Sequence, residues 1–157
     1  MGKATIDATD RKILSLLIRN ARMPCLEIAR ECGISGAAIH QRVKKMEESG
    51  VIRGCRLEVE PTALGYNVSA MIGIRINDPS MNFEIVDGLR RIPEVVECHF
   101  VTGKYNIWTR VYCVDHEHLM HTILDHILRV PGVSETETFI SLSDSFGRQV
   151  SVRDLDQ

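Results

Sequence analysis

Residues 24–50, PCLEIARECGISGAAIHQRVKKMEESG, decide how the front of this chain folds. Leu26, Ile28 and Ala29 give a first short helix an apolar side. Gly33 ends it, because a glycine just past a helix takes the left-handed conformation at little cost. Ser35 is a ready N-cap for a second helix that runs to Gly50. There Ile39, Val43 and Met46 recur at i, i+4 and i+7 and form the inward stripe. Gln41, Lys44 and Lys45 fall on the opposite side, and Ala37 leaves room near the N-terminus. Small residues at the start of a helix and cations along its exposed side suit the major groove of DNA. The pattern is a helix-turn-helix. Two amphipathic helices around a glycine also occur in plain helical bundles, where exposed lysines are only solvated charge. The flanking sequence therefore carries weight.

On the N-terminal side, Asp7 and Asp10 form a capping pair before Ile13, Leu14 and Leu17, which share one helix face. Ile6 is placed to staple onto that face, and the helix closes a three-helix core as scaffold. On the C-terminal side the period changes to alternation from Arg56 onward, predicting a short strand with Gly54 at a bend. As a wing, this strand would let Arg53 and Arg56 touch phosphates; as an ordinary strand, it would simply lead into a linker. Pro61, Thr62 and Gly65 mark the hinge. The expected organisation is a winged helix-turn-helix over residues 1–60, a linker over 61–67 and a second domain over 68–157.

Charge is distributed in the same sense. Residues 1–60 hold 11 Lys and Arg against 8 Asp and Glu, whereas residues 61–157 hold 8 against 13. Only the front half suits a polyanion, and its small excess makes affinity depend on dimerisation and specific contacts. An apolar content of 44% with 25% charged residues is that of a globular protein. No run reaches the length of a membrane span and no leader pattern occupies residues 1–9, so a cytoplasmic location is expected. Five cysteines without a Cys-x-x-Cys spacing form neither a disulfide framework nor a zinc knuckle. Cys98 and Cys113 lie in strand-like runs and are expected to serve as small apolar residues.

The back half repeats itself. Leu89-Arg90-Arg91-Ile92-Pro93-Glu94-Val95-Val96-Glu97 and Ile127-Leu128-Arg129-Val130-Pro131-Gly132-Val133-Ser134-Glu135 share Arg, an aliphatic, Pro, Val and Glu in register. Each copy ends a helix at a proline and begins a strand. Strand patterns over 68–76 and 105–114 precede helical patterns over 81–91 and 116–129. The order is βαββαβ, a ferredoxin-like domain with four antiparallel strands and both helices on one face, and the fold class is α+β. The uncovered sheet face is far from polar, and a second copy of the chain is the simplest cover for it.

The order of elements and the residues resemble the Lrp/AsnC family of transcriptional regulators. In front the resemblance runs through Ile6-Asp7-x-x-Asp10-x-x-Ile13-Leu14, Ala21-Arg22, Glu27-Ile28-Ala29, Gly33-Ile34-Ser35, Arg42-Val43-Lys44-Lys45-Met46-Glu47, Gly50-Val51-Ile52 and Leu64-Gly65-Tyr66. Behind, it includes Thr102-Gly103-Lys104-Tyr105 and Thr136-x-Thr138. The resemblance implies homodimers that assemble toward octamers, pseudo-palindromic double-stranded operators, and a small-molecule effector, an amino acid or a related metabolite, held between dimers. By motif, the DNA-binding residues are Ser35, Gly36, Ala37, His40, Gln41, Arg42, Lys44 and Lys45. Gly36 stands where the family often has proline. Arg42 lies at the edge of the buried stripe and is read either as a phosphate anchor or as a brace between helices.

The effector-binding residues implied are Gly103, Lys104, Tyr105, Asn106, Thr136 and Thr138. The family's loop reads Gly-x-x-Asp, so Asn106 lacks the charge that would receive an ammonium group, while Lys104 adds a positive one. An amine ligand would lose a charge-assisted contact of about 1.5–3 kcal/mol, and an altered effector is expected.

Three other readings are carried. His118, His121 and Asp125 fall on one helical strip and are a candidate metal trio, but a solvated helix face accounts for them, and neither metal nor cofactor is expected. A tetrapyrrole decarboxylase of related design is the enzyme alternative; no nucleophile–base pair or phosphate-binding loop supports it. A global DNA organiser of weak specificity, gaining avidity from many recognition helices, is the third.

Overall fold

The structure, a computed structural model, describes residues 5–153. Residues 1–4, at the start of the expected first domain, and residues 154–157, at the end of the expected second, lie outside the described residues. Two units separate: Met1–Leu57 with Phe146–Gln157, and Glu58–Ser145. No helix among the described residues is long and apolar enough to cross a membrane.

The first unit contains α1 (Ala8–Arg19), α2 (Cys25–Cys32) and α3 (Gly36–Glu48). Asp7 and Asp10 form a reciprocal capping box at the start of α1: the Asp10 N–H donates to Asp7 Oδ1 at 2.8 Å, and the Asp7 N–H donates to Asp10 Oδ2 at 3.1 Å. Gly33 ends α2 at φ 68°, the left-handed turn that swings the chain into α3. Ile13, Ile28 and Ile39, one from each helix, are fully buried at the centre, joined by Leu16, Ala29 and Met46. Burying each isoleucine contributes about 1.5–3 kcal/mol.

Two expectations change here. Leu26 is 70% exposed and takes no part in the core. The stripe of α2 is Ile28, Ala29 and Cys32, and Leu26 lies about 200° round the helix from Ile28 at 3.6 residues per turn. The strand expected from Arg56 is not formed: residues 53–60 are irregular, with Leu57 and Val59 exposed. Alternation marks strand propensity, but a ladder needs a second strand, and among the described residues none pairs with this one. Val51 and Ile52 instead close the three-helix core, the Ile52 N–H donating to the Met46 carbonyl at 3.0 Å.

The second unit begins with a 3₁₀ turn, Pro61–Leu64, followed by β1 (Val68–Ile76), α4 (Asn82–Arg90), β2 (Val95–Phe100), β3 (Ile107–Cys113), α5 (His116–His121) and β4 (Val133–Ser141). The strands are antiparallel in the order β2-β3-β1-β4, as the βαββαβ reading requires. Val68, Ala70, Ile72 and Ile74 of β1 and Ile107, Val111 and Cys113 of β3 pack with Ile85 and Leu89 of α4 and with Leu119 and Ile127. Side chains alternate across a strand, so this places both helices on one face and leaves the other open.

The single helix expected over 116–129 is three pieces. After α5 the chain widens into a π turn, Thr122–His126, and then tightens into a 3₁₀ turn, Ile127–Arg129. Thr122 is buried, and its hydroxyl donates to the His118 carbonyl at 2.8 Å, competing for an acceptor of the helical ladder. Cys113 is buried as expected, but Cys98 is exposed, because β2 is an edge strand.

Candidate nucleic-acid interface and effector loop

Ser35 starts α3 with its side chain accepting the Ala38 N–H at 3.2 Å. Beyond this cap, Ala37, His40, Gln41, Lys44 and Lys45 are all exposed and recur at i, i+3, i+4, i+7 and i+8, one continuous helical stripe. Ile39 and Met46 hold the opposite side in the core, with Val43 half-buried beside them. The free N–H groups and positive dipole end of this 13-residue helix add to the cationic stripe. Gly36 is half-buried against Leu26, whose Cδ2 lies 3.6 Å from where a Cβ would stand. Among the described residues Lys44 makes a long, exposed contact of 3.8 Å with Glu48, which leaves its ammonium available to an anion.

Arg42 is placed differently from its neighbours. Its Nη1 donates to Asp7 Oδ2 at 2.7 Å and to Asp10 Oδ1 at 2.8 Å, tying α3 to the capping box of α1. Of the two roles the sequence left open, the structure supplies partners for the brace. The backbone N–H of Asp10, and after it the Arg42 guanidinium, hold the Asp7 carboxyl below its usual range, while both carboxylates raise Arg42 further. The capping pair was visible in the sequence; its third member, 32 residues from Asp10, was not.

Among the implied effector residues, Gly103 has φ 118°, and Lys104 pairs with Glu137 while lying 5.0 Å above the Tyr105 ring. Tyr105 covers Gly73, where a Cβ would stand 2.6 Å from the ring, so only glycine admits this approach. The Tyr105 ring neighbours Trp108 at 5.8 Å, and Trp108 neighbours Phe139 at 5.4 Å. This aromatic row lies on the open face. Tyr105 Oη is buried there without a hydrogen-bond partner among the described residues. Sequence reasoning named Tyr105 but missed the row, because Phe139 joins it from β4, a strand separate in sequence from the 105–108 stretch.

Asn106 works inside the chain. Its Oδ1 accepts the Ile76 N–H at 3.1 Å, and its own N–H donates to the Ile74 carbonyl at 3.0 Å. Thr136 and Thr138 pair with Ile74 and Ile72 and share their helix-covered face. One chain therefore does not bring the two threonines together with Lys104 and Tyr105.

The histidines disperse. His118 accepts the Val114 N–H at Nδ1 and meets Glu94 at 3.1 Å through Nε2. His121 pairs with Asp125 at 2.8 Å, which raises the imidazole above its usual range and lowers the carboxylate. Among the described residues no group of three or more such side chains could hold a metal ion.

Comparison with known proteins agrees with this geometry. Residues 6–53 match the family model described as winged helix-turn-helix DNA-binding, and residues 69–150 match the Lrp/AsnC ligand binding domain. Regulatory protein AsnC of Escherichia coli (strain K12) is 36% identical over 150 residues, covering 96% of this chain and 99% of that one. The HTH-type transcriptional regulator FL11 of Pyrococcus furiosus is 34% identical over 140 residues, covering 89% and 91%. The solved E. coli AsnC superposes with a TM-score of 0.85 at 35% identity, over 94% of this chain and 99% of that one. The Mycobacterium tuberculosis leucine response regulatory protein superposes with a TM-score of 0.84 at 26% identity, over 94% and 100%. With a DNA-binding helix-turn-helix followed by a ligand-binding ferredoxin-like domain, this chain belongs to the Lrp/AsnC family of transcriptional regulators.

Proposed function

We propose that the chain is a cytoplasmic, sequence-specific regulator that reads pseudo-palindromic operators as a homodimer, with no catalytic step. The observation that carries this reading is the exposed stripe Ala37, His40, Gln41, Lys44 and Lys45 on a capped helix whose other side is fixed in a core. Gln41 and the N-terminal residues reach base edges, and the lysines contact phosphates. Two such helices in a dimer address half-sites about 10–10.5 bp apart or a multiple of that spacing. Replacing Lys44 and Lys45 with alanine tests this. Operator affinity should fall, and its salt dependence should flatten by roughly one unit per lost phosphate contact. An unchanged slope would reduce those lysines to solvated charge. Footprints separate a local regulator from a DNA organiser: one protected patch supports the former, long phased protection the latter.

The open face of the second unit supports dimerisation, because Tyr105, Trp108 and Phe139 form an apolar row on it. Higher assembly toward an octamer, with the effector between dimers, is part of the same proposal. It accounts for the separation of Thr136 and Thr138 from the Gly103 loop, since a second copy is needed to complete one site.

The proposed effector is a small carboxylate-bearing metabolite. An Asp in place of Asn106 would accept the same Ile76 N–H, so the exchange removes a charge without disturbing the strand end. The M. tuberculosis relative is named for its leucine response. Thermal-shift measurements across the amino acids and a set of keto and hydroxy acids address the difference. A rise with a keto or hydroxy acid alone supports an altered effector, and a strong rise with one ordinary amino acid overturns it.

A further inference from the structure

Leu26 is the large apolar residue of α2 that the core leaves out: it is 70% exposed, whereas Ile28 and Ala29 of the same helix are buried. A single exposed leucine is ordinary on a protein surface, so its place decides what it does. Leu26 is the second residue of α2, and its Cδ2 lies 3.6 Å from where a Cβ on Gly36, the first residue of α3, would stand. Chain neighbours aside, no other atom from outside α3 among the described residues comes within 4 Å of that point. Because Gly36 has no side chain, a gap about the size of a methyl group stays open between Leu26 and the first turn of α3. Ala37 follows, exposed, at the head of the stripe of His40, Gln41, Lys44 and Lys45. The start of the recognition helix is therefore flanked by two aliphatic side chains with a gap beside one of them.

We propose that Leu26, with Gly36 and Ala37, receives the 5-methyl group of a thymine in each operator half-site, so that a residue outside the recognition helix helps set sequence preference. The inference deepens the operator-reading function proposed above and rests on it. Thymine presents this methyl in the major groove beside its O4 acceptor, and no other standard base carries an apolar group there. The N-terminal residues of a recognition helix are the ones that reach base edges, and the gap at Gly36 lies at that end. Seating the methyl against Leu26 takes apolar surface of both partners out of water. Any side chain at position 36 would stand between Leu26 and the base, so glycine there and leucine at 26 act as a pair. The hydrogen-bonding residues of the stripe cannot supply this preference, since donors and acceptors read thymine and uracil alike.

Deoxyuridine differs from thymidine by that methyl alone, which makes it the probe. Full-length protein first selects a duplex from a random pool, and symmetry-related thymines of that duplex are then replaced in turn by deoxyuridine. At one position the replacement should weaken wild-type binding by about fourfold per half-site, the ratio that corresponds to burying one such group. Leu26→Ala should bind the thymine duplex less well and the deoxyuridine duplex as wild type does, so that its ratio falls toward unity. Leu26→Met keeps the apolar reach and should retain the ratio. Gly36→Ser sets a hydroxyl in the gap, with its Cβ at ordinary contact distance from Leu26, and should lose it. Each ratio compares two duplexes on one protein, so a difference in the folded fraction cancels. Wild-type binding indifferent to every replacement, a ratio unchanged in Leu26→Ala or Gly36→Ser, or a ratio lost in Leu26→Met would each overturn the thymine contact while leaving the regulator reading intact. A protein that enriches no sequence from the pool would overturn both.

Discussion

Arg42 shows how much one side chain can decide. On a helix wheel it borders the cationic stripe, yet its guanidinium is held by two carboxylates at 2.7 and 2.8 Å. Asp7 in this cluster has a lowered pKa, caused first by the Asp10 N–H and then by Arg42. Its contribution to stability is therefore present above the unfolded carboxylate value of about 3.9 and is lost as pH falls through the lower folded value. Asp7→Asn should be less stable than wild type at neutral pH and should lose less on acidification, which thermal melts from pH 7 to pH 3 would read. Equal acid sensitivity in both proteins would show that the pair is solvated. Gly73 is decisive for a different reason. A methyl group there would stand 2.6 Å from the Tyr105 ring, so Gly73→Ala must displace that ring. A loss of about 1–3 kcal/mol is expected, together with a changed near-ultraviolet signal from Trp108.

At the scale of elements, the recognition helix depends on its first turn. Ser35 is the side chain that caps α3 among the described residues, accepting one N–H at 3.2 Å. Ser35→Ala should cost about 0.5–2 kcal/mol in the first unit and weaken operator binding, because the frayed turn carries Ala37. Ser35→Asp should restore stability in urea melts yet bind DNA less well than wild type, since it places a carboxylate where phosphate approaches. The three-piece helix after β3 is the element that the sequence described least well. Its apolar positions fit a continuous helix, but they do not report a buried threonine hydroxyl competing for a backbone carbonyl. Thr122→Val keeps the shape and removes that bond. A shift of the amide signals of residues 118–126 toward regular helix is the expected outcome in a nuclear magnetic resonance comparison.

At the scale of the molecule, the two units divide the work of binding DNA and binding a ligand, and the open sheet face is where copies of the chain meet in our reading. Phe139→Glu inserts a charge into the row of Tyr105, Trp108 and Phe139. It should lower the mass measured by light scattering toward that of one chain and weaken operator binding with it, because two half-sites are then no longer read together. Retained mass with intact binding would move the dimer contact elsewhere.

What the sequence determined by itself were the features written in local periods. The capping box, the Gly33 turn, the inward side of α3 and the bounds of β1 are all short-range, set by backbone geometry and by apolar repeats of 3.6 or 2. The recurrence of Arg-aliphatic-Pro around Pro93 and Pro131 likewise announced the βαββαβ order, since a proline placed after the first turn cannot continue a helix. Only the tertiary structure decided which side chains those elements bring together. It turned Arg42 to Asp7 and Asp10, spent the Asn106 amide on Ile76, set Tyr105 over Gly73, and left residues 53–60 without a strand to pair with. Each of these joins residues distant in the chain, or needs a partner that no local pattern encodes, and such contacts exist only once the layers have packed.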